Sequence, residues 1–91
     1  MTNKAFITVI GKDRVGIIAD VTVLLASLKI NIEDISQTIL QGMFTMIMAV
    51  NLENSELEYD KLNAELKAKS APLGVEIVIR HEAIFQAMHR I

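Results

Sequence analysis

The sequence predicts an α+β domain with the element order β-α-β-β-α-β, the ferredoxin-like sandwich, followed by a short C-terminal helix. Four runs rich in β-branched residues are separated by two segments whose apolar residues recur at helical spacing. Gly, Pro and capping residues punctuate the junctions between them. All 91 residues are read as one domain, with 82–91 as its helical tail.

Residues 4–10 (KAFITVI) form the first strand, dense in β-branched and aromatic side chains. Asp13 is placed to cap the first helix through its carboxylate. Ile17, Val21, Leu24, Leu25 and Leu28 follow on one helical face. Residues 30–40 form the second strand, and Gln41-Gly42 is a two-residue hairpin turn into the third strand at 43–52. Ser55 with Glu58 matches a capping box, opening a second helix that runs to about Ser70 with Tyr59, Leu62 and Leu66 inward. Pro72 and Gly74 are expected to stop that helix, and 75–79 forms the fourth strand. In the tail, Ile84, Phe85, Met88 and Ile91 fall on one side of a helix.

Right-handed crossovers put both helices on one face of the sheet. The third strand nevertheless has Phe44, Met46, Met48 and Val50 on one side and Ile47 and Ala49 on the other. Something is expected to cover the second face: the tail, a partner subunit, or both. A hydrophobic content of 52% in so short a chain points the same way, to a homodimer or higher oligomer.

Composition removes several function classes. A formal charge of −2 argues against nucleic acid as a partner, because phosphate neutralisation needs clustered Lys and Arg. The absence of cysteine excludes disulfides and thiolate metal sites and accords with a reducing cytoplasm, where the protein is expected. No signal-peptide pattern opens the chain, and no apolar run approaches the ~20 residues needed to span a bilayer, so no membrane association is expected. His81 and His89 lack accompanying ligands, so neither a metal nor another cofactor is expected.

The stretch IGKDRVGII, residues 10–18, raises a sharper question. Its glycines at 11 and 16 have the spacing of a phosphate-binding loop, but Ile17 and Ile18 stand where that loop needs Lys and Ser or Thr. A copper chaperone of this fold needs Cys-x-x-Cys. An acylphosphatase needs a Phe-Arg pair after the loop glycine. An RNA-recognition module needs basic residues around its stacking aromatics. None of these patterns is present, and no enzymatic activity is expected.

The segments GKDRVGI, residues 11–17, and KINI, residues 29–32, resemble those of the ACT domain, an amino-acid-sensing module of metabolic regulation. The ending IFQAMHRI resembles that of stand-alone, single-ACT proteins similar to one ACT unit of the glycine-cleavage transcriptional repressor. Two departures stand out. Val15 occupies a position where many ACT domains have Pro, and the repressor has its ACT units in tandem.

The resemblance implies a small amino acid bound at a subunit interface, between the loop glycine and an Asn at the start of the second strand. Carried over, the ligand-binding residues are Asp13, Val15, Gly16, Ile17, Asn31 and Ile32, with no catalytic residue. The chemistry is reasonable: Gly16 leaves the backbone open, and Asn31 offers a donor and an acceptor to a zwitterion. Each residue also has a plainer reading. Gly16 would serve close helix–strand packing, Asn31 would simply begin a strand, Asp13 would be a helix cap before a ligand partner, and Asp20 would be solvated. The implied function is a non-catalytic regulatory domain that modulates a protein partner through amino-acid binding. The alternative is a ligand-free interaction module of the same fold.

Overall fold

In the computed structural model, which describes residues 4–55 and 58–81, four strands form one antiparallel sheet in the order β2-β3-β1-β4. The elements are β1 (Lys4–Lys12), α1 (Ile17–Ser27), β2 (Asn31–Leu40), β3 (Met43–Asn51), α2 (Tyr59–Leu73) and β4 (Val75–His81). This is the ferredoxin-like order read from the sequence. The tail, 82–91, lies outside the described residues.

Alternation builds the core. Ile7 and Val9 of β1 face the helices beside Met46 and Met48 of β3 and Ile77 and Ile79 of β4, all buried. Against them α1 places Ile17, Val21, Leu24 and Leu25, and α2 places Leu62 and Leu66. The helical periodicity of these positions survives intact from sequence to structure.

Three local expectations are corrected. Asp13 does not cap α1: the N-cap is Gly16, in the left-handed region at φ 83°, without a side-chain cap bond. Asp13 instead donates its backbone N–H to the Gly42 carbonyl at 2.8 Å, because β1 runs two residues beyond its expected end and takes the cap position further along the chain. Ser55 is not the N-cap of α2, which starts at Tyr59 with Glu58 as an extended N-cap. Pro72 does not stop α2, because in the last turn its missing N–H removes only one helical bond. Gly74, left-handed at φ 74°, ends the helix and donates to the Ala71 carbonyl at 3.0 Å.

The hairpin between β2 and β3 has Gln41 at φ 51° and Gly42 at φ 78°, the pair of positive values a two-residue type I′ turn requires. Gln tolerates this region poorly and Asn well. Gln41→Asn is therefore expected to raise stability by about 0.5 kcal/mol and Tm by roughly 2–4 °C. A calorimetric Tm equal to or below that of the parent would contradict this account of the turn.

β2 differs from its neighbours. It is a ten-residue edge strand, bonded among the described residues only to β3, and every residue from 33 to 40 is exposed. A bulge at Glu33 shifts its register against β3 between Ile32 and Asp34. The extra residue reverses the alternation, so Ile35 and Ile39 stand opposite Met48 and Phe44, on the helix side of the sheet. The helices do not reach that far, and both isoleucines remain exposed.

Candidate functional site

The loop between β1 and α1 is held from two directions. The Asp13 amide ties it to the β2–β3 hairpin. Arg14 ties it to α2, donating through Nη2 to the Leu73 carbonyl at 2.9 Å, and it pairs with Asp20 Oδ2 at 2.9 Å. Nη1 donates to the Val15 carbonyl at 3.2 Å. One guanidinium thus joins the last residue of α2, the loop and the first turn of α1, a fork geometry that Lys could not reproduce. Asp20, expected to be solvated, is its half-exposed partner. Arg14 was missed as a structural residue of the loop, since nothing local in the sequence brings residue 73 to residue 14.

This arrangement separates the two readings of Gly16. A Cβ added there would meet only the Arg14 Nη1, at 4.0 Å, so close packing is not what selects glycine. Its positive φ does. The side of the loop beyond Gly16 is open, and Val15 at its tip is 99% exposed. Ile17 turns inward as the first buried residue of α1, taking part in the core. Gly11, the other glycine of the stretch, lies within β1, opposite Val75 of β4 and Phe44 of β3.

Asn31 sits far from that loop. It pairs in register with Asn51, which pairs in turn with Lys4, at the opposite end of the sheet from Lys12 and Gly42. The eleven residues of α1 intervene, roughly 16 Å of helix at 1.5 Å per residue. Within one chain the structure therefore brings together Asp13, Val15, Gly16 and Ile17, and separately Asn31 and Ile32. Asn31 is exposed, its amide makes no hydrogen bond among the described residues, and Ile32 packs at the border of the core. Near Asn31, Lys4 pairs with Glu33 at 3.3 Å.

Hollows lie elsewhere among the described residues. One, of about 320 Å³, lies between the helices, with Ala19, Val23, Leu24 and Leu73 as its apolar lining and Asp20 and Lys69 completing it. Another, of about 170 Å³, is lined by Phe6, Ala49, Ile47 and the neighbouring residues 34–36 of β2. Among the described residues no group of three His, Cys, Asp or Glu side chains gathers to hold a metal ion, and no helix is long and apolar enough to cross a membrane.

Comparison with known proteins accords with this architecture. The model of the ACT domain matches residues 4–80. A UPF0237 protein of Clostridium acetobutylicum is 57% identical over 88 residues, covering 97% of this chain and 99% of its own. The solved structure of an ACT domain protein from Streptococcus pneumoniae is 42% identical, with a TM-score of 0.82 over 93% of this chain and 96% of that one. A putative glycine cleavage system transcriptional repressor shares the fold at 21% identity and a TM-score of 0.65, and this chain covers 46% of it. The βαββαβ order, the loop glycine ahead of α1 and these matches agree, and the chain belongs to the ACT domain family.

Proposed function

We propose that this protein is a non-catalytic regulatory module that binds a small amino acid between two copies of itself and thereby modulates a protein partner. The observation that supports it most is the unguarded β2 edge. Natural edge strands are blunted by charges, Pro or brevity, whereas residues 35–40 of β2 (ISQTIL) contain neither a charge nor a Pro. A second copy related by a two-fold axis normal to the sheet would pair with β2 antiparallel, extending the sheet across the interface and covering Ile35 and Ile39.

Antiparallel pairing also solves the separation of the candidate ligands. The start of one β2 then lies beside the end of the other, where the Gly42 carbonyl holds the Asp13 amide. Asn31 of one copy is carried toward the Gly16 loop of the second, and two equivalent sites form. The exposure of Val15 and of Asn31 fits that role. A carboxylate would be favoured at the α1 N-terminus, and the ammonium by the Asn31 carbonyl.

Sedimentation at micromolar concentration is expected to show a dimer or larger species. Thermal melting against the twenty amino acids is expected to show one or a few that raise Tm, since a ligand at a hundred times its Kd adds about 2.7 kcal/mol. Asn31→Ala removes a hydrogen bond to a charged group and is expected to weaken that binding roughly ten- to hundredfold, with Tm of the free protein unchanged. A dimer that no amino acid stabilises at millimolar concentration would leave the ligand-free interaction module as the function.

A further inference from the structure

A surface helix ordinarily carries charge on the face it turns to water. α2 does: Asp60, Lys61, Lys67 and Lys69 are exposed along it. α1 does not. Asp20 is its one charged residue in eleven, and its outward face presents Ala19, Val23 and Ala26, all exposed, with Val23 at 68%. Its two hydroxyls turn back on their own helix. Thr22 Oγ1 donates to the Ala19 carbonyl at 3.0 Å, and Ser27 Oγ donates to the Leu24 carbonyl at 2.6 Å. Beside this face runs the hollow of about 320 Å³, with apolar walls from Ala19, Val23, Leu24 and Leu73. Its charged members have opposite signs and stand on opposite walls, Asp20 on α1 and Lys69 on α2.

We propose that the α1–α2 face is an interface between two copies of this chain. A two-fold axis along the groove relates them, so that α1 of each copy packs on α2 of the other.

The placement of the charges selects a second copy as the occupant. Arg14, just ahead of α1, reaches the Leu73 carbonyl at the end of α2, so the two helices run antiparallel, side by side. A two-fold axis parallel to them exchanges the two walls of the groove. Asp20 of each copy then faces Lys69 of the other, in two equivalent pairs. A surface that carries its own complement needs no partner of different chemistry. Both side chains have room for the contact, at 44% and 54% exposure, and the pair Lys69 makes with Glu65 is long, at 3.9 Å. Exposed ion pairs contribute little, so the stabilisation comes from covering Val23 and the apolar hollow, and the charges fix which helix meets which. The contact uses no residue of β2, and so stands or falls separately from pairing at that edge.

The absence of native cysteine allows a direct test. Full-length Val23→Cys and Ala68→Cys chains, each substituted at an exposed position, are refolded together and oxidised mildly. Non-reducing electrophoresis and intact mass then identify the products. Ala68 is exposed on α2 beside Lys69, so the proposed packing brings residue 68 of one copy near residue 23 of the other, and a disulfide needs Cα atoms within about 7 Å. The expected result is a crossed dimer, Val23→Cys joined to Ala68→Cys, well above the share that random joining gives. Lys69→Glu, introduced into both chains, sets like charges opposite Asp20 and is expected to suppress the crossed dimer while cooperative melting is retained. Preferential joining of the Val23→Cys chain to itself would overturn the proposal by setting α1 against α1. So would a crossed dimer indifferent to Lys69→Glu. The absence of any interchain product would also overturn it and leave the groove to an occupant other than this chain.

Discussion

Gly11→Val is expected to cost about 3 kcal/mol of stability and to lower Tm by roughly 12–24 °C, the range of a severe overpacking change in a domain of this size. The cause is lateral crowding between β1 and β4. A Cβ at Gly11 would lie 2.8 Å from Val75 Cγ1, 3.2 Å from the Gly74 carbonyl oxygen and 3.3 Å from Val75 Cα. Two of those atoms are backbone, at the turn that ends α2, so relief requires β4 to move. Gly11→Ala is expected at the lower end, about 1 kcal/mol. Gly42→Asn is the matched control, since a Cβ there meets nothing within 4 Å and Asn accepts its positive φ. If Gly11→Val melts within 2 °C of the parent, the close approach at Val75 does not constrain the residue. The displaced Gly74 adjoins Leu73, whose carbonyl anchors Arg14, so the same variant is expected to loosen the candidate binding loop.

Mixing two binding-defective variants is expected to restore binding. Gly16→Asn keeps the left-handed backbone while placing a side chain over the open side of the loop, and Asn31→Ala removes the amide at the other end. Each variant alone damages both sites of a symmetric dimer. In a mixed dimer one site joins an intact loop to an intact Asn31, and the other combines both lesions. Random reassociation makes about half of the dimers mixed, so roughly a quarter of all sites should return with the parent affinity. Isothermal titration after refolding the mixture, with native mass spectrometry to count mixed dimers, measures this. No recovery when mixed dimers are abundant would place the site within one chain and sink the two-copy reading. Homodimers that still bind would place it away from Gly16 and Asn31.

The two predictions concern the two glycines of one short stretch, and their roles divide where local sequence has no reach. Glycine spacing suggested a loop from 11 to 16, yet Gly11 belongs to a strand and is selected by Val75, sixty-four positions away. Gly16 is selected by its own φ, a property of the backbone at one residue.

The same division holds through the chain. Alternation in β1, β3 and β4 and the helical stripes of α1 and α2 were readable, because burial on one face imposes a period that each segment displays by itself. The hairpin at Gln41-Gly42 was readable for a similar reason: two residues contain the whole turn. Helix starts were not, since Asp13 and Ser55 are chemically competent caps, yet Gly16 and Glu58 hold the two N-cap positions. The bulge at Glu33, which turns Ile35 and Ile39 to the helix side, arises from pairing with β3 and leaves no mark in the composition of β2. Arg14 found its partner at Leu73 only because the crossovers bring the end of α2 to the start of α1. The sequence by itself determined the elements, their order and the apolar face of each, because those follow from periodicities within a dozen residues. Tertiary structure alone decided that Gly16 and Asn31 stand at opposite ends of the domain, because a distance between elements depends on register, crossover and helix length together.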